Sequence, residues 1–251
     1  MAGTTVLGGL GWRAGTVVER RRESASAHTI VLDVPRWQGH DAGQHVDVRL
    51  TAPDGYSAVR SYSIASAPHV SRIELTIEEL SDGEVSPYLA ETIAPGDALE
   101  VRGPIGGWFV WRPSQPEPVV LVAGGSGIVP LMAMIRTRAQ SESRAPFRLI
   151  YSVRSPRSVI YDDELMQRAQ PGSGLDVLLA YTRSAPEGWA RPPKRIDAEL
   201  LVEGAFPPDR RPSCYVCGPT PFVEAAANLL IAAGHDASLI KTERFGPSGT
   251  A

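Results

Sequence analysis

The chain has 251 residues, of which 43% are hydrophobic and 21% charged, a balance typical of a folded globular protein. No stretch approaches the roughly eighteen apolar residues of a membrane span. The N-terminus lacks a secretory signal pattern, and a formal net charge of -3 disfavours a nucleic-acid-binding surface. The two cysteines, Cys214 and Cys217, are too few for a disulfide framework. We therefore expect a cytoplasmic protein that binds neither membranes nor nucleic acid.

The first 112 residues contain short runs in which apolar and polar residues alternate. The runs from Val46 to Thr51 and from Ile73 to Glu78 are the clearest, and a period of two is typical of strands buried on one face. Turns at Ala52 to Gly55 and at Ala94 to Asp97 separate such strands. We predict an antiparallel β-barrel domain over residues 1–112, and a linker with the sequence RPSQPEP at 112–118.

Residues 118–251 show a different pattern, in which nearly continuous apolar strands alternate with helical segments. Strands are predicted at about 118–123, 147–153, 175–181, 214–217 and 238–241, and the clearest helix runs from Pro221 to Ala233, ahead of Gly234. This alternation predicts a second domain, an α/β fold with a parallel sheet and right-handed crossovers. Ligands of such sheets bind beyond the carboxyl ends of the strands.

The sequence LVAGGSGIVP, residues 121–130, joins one of these strands to a helix through a glycine-rich turn. Gly124, Gly125 and Gly127 leave the backbone open to an anion, and the helix N-terminus adds unpaired N–H groups. Pro130 is tolerated in the first helical turn. The stretch predicts a site for a dinucleotide phosphate. The spacing differs from the strict GxGxxG pattern, and a purely structural glycine turn is the alternative.

A cluster of polar and aromatic residues, Arg60-Ser61-Tyr62-Ser63, lies on a predicted barrel strand. An arginine can bind phosphate, a tyrosine ring can pack on an isoalloxazine, and a serine hydroxyl can hydrogen-bond a flavin edge. Strand parity places Tyr62 and Ser63 on opposite faces, so both could contact one flavin only across a strand end or edge. An ordinary barrel strand is the alternative.

Two further segments offer backbone close to a ligand. GEVSPYL, residues 83–89, predicts a short helix with Ser86 as N-cap and Pro87 at its first position, and thus a second anion site. GPIGGWF, residues 103–109, follows a predicted strand and could let a cofactor pass near the backbone. Each segment is also commonplace as a turn.

The order of these motifs resembles that of the ferredoxin-NADP reductase family. It runs RSYS, GEVS, GPIGGWF, the glycine turn, CGP at 217–219 and ERF at 243–245. The resemblance extends from about Arg13 to Gly246. It implies a flavin-binding barrel followed by a nicotinamide-nucleotide domain, with hydride exchanged in the cleft between them.

On the flavin side, the resemblance implies that Arg60 binds phosphate, Tyr62 packs on the isoalloxazine, and Ser63 hydrogen-bonds near N5. Ser86 would cap a helix that faces the pyrophosphate. The other residues assigned to this side are Ser61, Gly83, Gly103, Gly106, Trp108 or Phe109 along the flavin, and Phe245 over its opposite face.

On the nucleotide side, the resemblance implies that the glycine turn and Pro130 shape the pyrophosphate site. Cys217 and Gly218 would border the nicotinamide, with Cys217 contacting it rather than attacking it. Glu243 resembles the family's acidic residue near the active site, although the tail TERFGPSG differs from the plant-type aromatic terminus. Ser63, Cys217 and Glu243 are therefore the candidate catalytic residues.

The coenzyme is predicted from the residues that follow the second strand of the α/β domain. Hydroxyl and cationic groups gather there, where an adenosine 2'-phosphate would lie: Ser152, Arg154, Arg157 and Tyr161, joined by Arg183. A protein that prefers NADH more often places a carboxylate near the ribose, but Asp162 and Asp163 are assigned to the next helix. We expect NADPH, with NADH possible. Solvent-facing arginines are the alternative.

The two cysteines have C-x-x-C spacing, which raises the alternatives of a redox dithiol or a metal site. Residues three apart on a strand point to opposite faces, which disfavours a dithiol. An iron-sulfur cluster commonly takes four cysteines, so an iron-sulfur partner should be another polypeptide, unlike relatives with a fused ferredoxin domain. The five histidines are scattered, and no metal site is predicted.

We expect a flavin-dependent NAD(P)H oxidoreductase that accepts hydride from NAD(P)H and passes single electrons to a separate acceptor protein, such as a ferredoxin or an oxygenase. FAD is favoured over FMN because GEVSPYL and GPIGGWF resemble the family's FAD-type arrangement. Two alternatives stay open: a stand-alone flavin, quinone or ferric reductase, and a nucleotide-binding regulatory module without turnover.

Overall fold

The computed structural model describes residues 11–51, 55–79 and 85–246, which form two sheets. The first sheet contains β1 (Arg13–Arg22), β2 (Ala27–Asp33), β3 (His45–Thr51), β4 (Ser57–Ser63), β5 (Arg72–Glu78) and β6 (Ala98–Ile105). These strands pair antiparallel in the order β4-β3-β6-β1-β2-β5. A bridge between Ile64 and Leu75 brings the outer strands together, so the sheet curls into the predicted antiparallel barrel.

The barrel interior is filled by alternate apolar side chains, as its period-two sequence predicts. Val46 and Val48 of β3 are fully buried together with Leu75 of β5. A five-residue π-helical turn, Tyr88–Thr92, adds Leu89 and Ala90 to this core. Ser86 and Pro87 are themselves helical directly ahead of this turn, so the short helix predicted from GEVSPYL is present and Ser86 lies inside it, not at its cap.

The second sheet is parallel, in the order β11-β10-β7-β8-β9. Its strands are β7 (Val119–Gly124), β8 (Phe147–Val153), β9 (Leu175–Tyr181), β10 (Ser213–Pro219) and β11 (Ile240–Phe245). Its helices are α1 (Ile128–Ala139), α2 (Asp162–Arg168), α3 (Ala198–Gly204) and α4 (Thr220–Ala232). The last strand begins at Ile240, not at 238, because 237–239 form a 3-10 turn. Within the described ranges, none of the helices has the length and apolar character needed to cross a bilayer.

The two faces of the parallel sheet are covered differently. On one face, α3 and α4 pack on apolar side chains of β7, β8 and β10. On the other face, α1 and α2 share a core with barrel residues that include Ala65 and Trp111. We call this shared core the seam. Because apolar packing continues across it, the strand ends of both sheets are held close together.

Candidate active site

A hydrogen bond between Ser63 and Glu243 joins the two sheets. Ser63 is the last residue of β4, and Glu243 lies on β11, 180 residues further along the chain. The Ser63 hydroxyl donates to Glu243 Oε1 at 3.1 Å. Cys217 of β10 is in register with Glu243 in the parallel pair of strands. The structure therefore brings the three candidate catalytic residues together at the seam.

The environment of these residues sets their protonation. Burial raises the pKa of Glu243 to about 7, although the hydrogen bond from Ser63 opposes the rise. Cys217 is fully buried, and burial together with the nearby Glu243 carboxylate raises the pKa of its thiol well above the ordinary value. The thiol is therefore neutral at physiological pH, which suits a packing contact and not a nucleophile.

The two cysteines do not form a dithiol. Cys214 packs with α3 and α4, whereas Cys217 packs in the seam on the opposite face of the sheet. Both are free and buried. This arrangement confirms the prediction made from strand parity.

The strand β4 has an open edge in the described part of the barrel. It stands last in the sheet order, with β3 on one side and the isolated Ile64–Leu75 bridge on the other. Tyr62 and Ser63 point to opposite faces of the strand, but a ligand that lies along this open edge can contact both of them. Burial raises the pKa of Tyr62 to about 12, so its ring is a neutral phenol, and Arg60 is exposed beside it.

The Ser61 side chain forms a hydrogen bond within the barrel wall, whereas the sequence predicts a contact with the cofactor. Its hydroxyl donates to Asp47 Oδ1 at 2.7 Å, and Arg102 Nη2 donates to the other oxygen of the same carboxylate at 2.6 Å. These hydrogen bonds lower the pKa of Asp47, against the effect of its burial. Ser61 thus belongs to a network on the barrel wall, and a role toward a cofactor stays a prediction.

The GPIGGWF loop separates its two aromatic residues. Trp108 is 65% exposed, and the Lys241 ammonium lies 5.6 Å from the centroid of its ring. Phe109 is 5% exposed and packs edge-on against Tyr215 in the seam. Trp108 is therefore the aromatic residue of the pair that a bound ligand can reach.

The remaining predicted residues of the flavin side lie around this loop. Gly103 is near the end of β6, and the carbonyl of Gly106 accepts a hydrogen bond from Gln44 Nε2 at 2.6 Å. Phe245 is partly buried against the seam. Gly83 lies outside the described residues.

The glycine turn packs tightly against β10. Gly125 has a φ of +55°, a left-handed conformation that favours glycine, and a Cβ on Gly127 would lie 2.1 Å from the Cys217 carbonyl oxygen. Gly218 approaches Gly124 in the same way, since a Cβ on Gly218 would lie 3.2 Å from the Gly124 Cα. The close packing against β10 is thus sufficient to require a glycine at position 127. The turn also places the start of α1, with Pro130 in its first turn, beside Cys217.

The residues predicted to contact the coenzyme phosphate divide into two groups. Arg154, Arg157 and Arg183 are exposed beyond the carboxyl ends of β8 and β9, and the Arg183 backbone N–H donates to the Arg154 carbonyl at 3.0 Å. Ser152 is buried at the end of β8. Tyr161 is 2% exposed, and its hydroxyl bonds to Thr76 Oγ1 of the barrel, so this group is held in the seam. Tyr161 also lines a cavity together with Arg157, and a contact with the coenzyme stays a prediction.

The donor set fits a flavin dinucleotide and a nicotinamide nucleotide. An open strand edge carries an arginine and an aromatic ring, and it ends at Ser63, where the parallel sheet contributes Glu243 and Cys217. The carboxyl ends of β7 and β10, with the glycine turn between β7 and α1, face the same region. A flavin on the barrel edge and a nicotinamide at these strand ends would meet at the seam.

Comparison with known families agrees with this division. Residues 14–110 match the oxidoreductase FAD-binding domain, and residues 121–228 match the oxidoreductase NAD-binding domain. The chain belongs to the ferredoxin-NADP reductase family. The FAD-binding match covers the barrel, and the NAD-binding match covers the parallel sheet except its edge strand β11.

Two relatives show how much of a longer protein this chain matches. It is 31% identical over 207 residues to the glycine betaine monooxygenase reductase subunit of Chromohalobacter salexigens, covering 81% of this chain and 55% of the relative. It is 29% identical to the flavohemoprotein of Halalkalibacterium halodurans, covering 96% and 62%. The chain thus spans little more than half the length of the first of these relatives.

Solved structures show the same fold. The flavohem-like FAD/NAD binding domain of nitric oxide dioxygenase from Vibrio cholerae superimposes with a TM-score of 0.83 at 25% identity, covering 94% of this chain and 99% of that one. A ferredoxin NADP+ reductase from Neisseria gonorrhoeae with bound FAD and NADP gives a TM-score of 0.76 at 20% identity, covering 93% and 98%. At 20% identity, the likeness to the second structure is a likeness of fold.

Residues that hold the seam were missed in the sequence. Arg136 and Thr76 are both buried, and each bonds across to the other half of the molecule. Lys241 donates to the Val110 carbonyl at 3.3 Å. Arg136 did carry a signal, because this charged residue directly follows the apolar run IVPLMAMI on a helix, where a buried charge demands partners.

Proposed function

We propose that the chain is an FAD-dependent NAD(P)H oxidoreductase that passes electrons to a separate acceptor protein. The observation that carries the proposal is the 3.1 Å hydrogen bond from Ser63 to Glu243, with Cys217 in register beside it. This bond joins the end of barrel strand β4 to the parallel sheet, where Glu243 and Cys217 are neighbours on adjacent strands. We further propose that these domains span residues 1–112 and 118–251, and that the two free cysteines indicate a cytoplasmic location.

When bound, FAD would accept a hydride equivalent from the nicotinamide and release its electrons one at a time. The protein's own part is orientation, exclusion of water and proton supply. The open edge of β4 supports the flavin through Tyr62, while Arg60 offers a guanidinium to its phosphates. Cys217 presents a neutral, buried thiol to the nicotinamide.

Glu243 and Ser63 can together hold a proton at the seam. Because the pKa of Glu243 is about 7, its carboxyl is protonated in a large share of molecules at neutral pH. In that state Glu243 can donate to Ser63 Oγ, and the Ser63 hydroxyl proton is then directed into the cleft. When Glu243 is ionised, Ser63 donates to it instead. The protonation state of Glu243 therefore decides whether the Ser63 hydroxyl proton is available in the cleft, and neither chain segment has to move.

The preferred coenzyme in this proposal is NADPH. Three exposed arginines stand at the carboxyl ends of β8 and β9, while Asp162 and Asp163 belong to α2 as the sequence predicts. Cations at this edge favour an additional phosphate. The Tyr161 hydroxyl is bonded to Thr76 in the seam, and the contact of Tyr161 with the coenzyme stays a prediction.

The acceptor in this proposal is another redox protein, such as a ferredoxin or an oxygenase component. The glycine betaine monooxygenase reductase subunit is by name the reductase of an oxygenase, and it aligns with 81% of this chain. The sequence contains two cysteines, fewer than an iron-sulfur cluster commonly takes. One-electron chemistry beyond the flavin would therefore take place on a redox centre outside these 251 residues.

Anaerobic titration of the purified flavoprotein with NADPH and with NADH tests the proposal. We expect the flavin absorbance to bleach with either coenzyme, and faster with NADPH. Protein that retains flavin yet never bleaches would favour a regulatory module. Rapid reduction of free quinone or ferric chelate, with no acceleration by any ferredoxin or oxygenase, would favour a stand-alone reductase.

A further inference from the structure

The guanidinium of Arg136 crosses the seam from the NAD-binding domain to the barrel. Arg136 lies on α1, and its side chain is 8% exposed. Its Nη1 donates to the carbonyl of Ala65 at 2.9 Å and to Glu74 Oε2 at 3.0 Å. Both acceptors belong to the barrel, so this helix carries a charge that is paired in the other domain.

The other nitrogens of Arg136 are held within its own domain. Nε and Nη2 donate to the two carboxylate oxygens of Glu164 at 3.0 and 2.5 Å. The guanidinium also lies 4.9 Å from the ring centroid of Tyr161. A planar guanidinium whose three nitrogens are all hydrogen-bonded is held in one orientation. Because the group is buried, any orientation that breaks these bonds is costly in free energy. Arg136 therefore bonds to both domains at the same time.

A second tie runs beside the first. The Tyr161 hydroxyl bonds to Thr76 Oγ1 of β5, and Thr76 Oγ1 lies 2.7 Å from Thr29 Oγ1 of β2. Tyr161 adopts a φ of 64°, which is unusual for an aromatic residue and persists where the surroundings enforce it. The same tyrosine thus connects Arg136 to the barrel by a contact on its face and a hydrogen bond at its hydroxyl.

The carbonyl that Arg136 holds is two residues from Ser63. Ser63 ends β4, and Ala65 follows it across the bridge formed by Ile64. We propose that Arg136 is a positioning residue: through Ala65 and Glu74 it fixes the end of β4 against the NAD-binding domain, and so sets the gap between flavin and nicotinamide. This inference rests on the proposed function.

The chain offers a matched control for Arg136 on the same helix. Arg138 donates to the Ala145 and Ser173 carbonyls at 2.6 and 3.0 Å, both within the NAD-binding domain. Removing Arg136 leaves Glu74 paired with Arg21, and Glu164 paired with Arg168. The Arg136→Met variant is therefore expected to fold, and Arg136→Lys keeps the charge without the fork.

The first measurement is the rate of flavin reduction at saturating coenzyme. We expect Arg136→Met to lower it by roughly 10- to 100-fold, the scale of a small misplacement of reacting groups, while KM changes by less than about threefold. Arg136→Lys should recover part of the rate, and Arg138→Met should match the parent. Tyr161→Phe, which removes one hydroxyl from the seam, should give a smaller loss in the same direction.

The second measurement reports domain geometry without activity. Val18 on β1 and Val202 on α3 are 40% and 67% exposed, and both native cysteines are buried, so Val18→Cys and Val202→Cys can carry spin labels. We expect a narrow distance distribution in the parent and in Arg138→Met, and a broader one in Arg136→Met.

Each outcome decides the inference. If the parent bleaches with NADPH and Arg136→Met equals Arg138→Met in both rate and distance width, the positioning role is wrong while the proposed function stands. If the parent flavin is not reduced by either coenzyme, both fail together.

Discussion

At the residue scale, the surroundings decide what each candidate residue can do. Glu243 is an ordinary glutamate in the sequence, yet burial at the seam raises its pKa to about 7. Cys217 has a spacing that could indicate redox chemistry, yet its thiol is fully buried and neutral. Each role therefore follows from the position of the side chain and not from its type alone.

The raised pKa of Glu243 makes stability depend on pH. The unfolded carboxyl titrates near its ordinary value of 4.5, whereas the folded one titrates at about 7. The folded state holds the proton between these values, so the stability that Glu243 contributes is complete below pH 4.5 and is lost as the pH rises through about 7. As the pH rises from 5 to 8, the free energy of unfolding should fall less in Glu243→Gln than in the parent, because this window spans the raised pKa of about 7. Urea unfolding at each pH measures the difference.

Glu224→Gln is the control for that experiment. Glu224 is exposed and pairs with Arg244, so its removal should leave the pH dependence of the parent unchanged. An unchanged pH dependence in Glu243→Gln would show that the carboxyl titrates normally.

The close approach of Gly127 to β10 predicts a large effect from one methyl group. A Cβ at this position would lie 2.1 Å from the Cys217 carbonyl oxygen, and a backbone atom has little freedom to withdraw. Gly127→Ala should lower the free energy of unfolding by about 2 kcal/mol or more. Gly107→Ala is the control, because a Cβ there meets nothing within 4 Å. Equal stability of the two variants in urea unfolding would contradict the tight packing.

At the element scale, strand ends gather residues that are remote in sequence. β11 is an edge strand whose alternate residues Lys241, Glu243 and Phe245 contact the barrel or the seam. Arg244 points the other way and pairs with Glu224 of α4. Period two thus gives this strand one functional face, although its charged sequence, IKTERF, lacks the apolar run that predicts a buried strand.

The arginines beyond the carboxyl ends of β8 and β9 are expected to determine which coenzyme is preferred. A double variant, Arg154→Ala with Arg183→Ala, should raise KM for NADPH by roughly 10- to 100-fold, since charge-assisted hydrogen bonds to a phosphate would be lost. KM for NADH should change little. Arg144→Ala serves as control, because this exposed arginine precedes β8, at the opposite end of the strand. Steady-state kinetics with both coenzymes would contradict the assignment if the two KM values rose equally.

At the scale of the whole molecule, the seam joins two domains into one working unit. Apolar packing of α1 and α2 against the barrel is reinforced by the bonds of Arg136 and Tyr161 and by the Ser63–Glu243 pair. Interfaces between domains are usually small and polar, and they permit relative motion. A continuous apolar seam with buried ties instead favours a fixed gap between the two cofactor sites.

Removal of the flavin should therefore weaken the whole chain. A ligand that binds only the folded state stabilises it by about 2.7 kcal/mol at one hundred times its Kd. We expect flavin-stripped protein to melt at a lower temperature, FAD to restore the parent value, and FMN to restore less because it lacks the adenylate half. Calorimetry with added AMP controls for nucleotide binding alone. Equal recovery with FMN would overturn the choice of FAD.

Local pattern was sufficient for much of the fold. The strands predicted at 147–153 and 175–181 coincide with β8 and β9, and the period-two runs became walls of the barrel. The helix predicted from Pro221 to Ala233 is α4, Thr220–Ala232. Seam contacts were not predictable in the same way. Tyr161 is predicted to contact the coenzyme because it follows a strand end, and no local pattern indicates the bond of its hydroxyl to Thr76 of the barrel.

The sequence by itself determined the two kinds of sheet, their order along the chain, the glycine turn and the family, because periodicity and turn residues act over a few neighbours. Only the tertiary structure decided that Ser63 meets Glu243, that Arg136 reaches Ala65, and that the pKa of Glu243 lies near 7. Those properties depend on burial and on contacts between residues up to 180 positions apart, which periodicity along the chain does not encode.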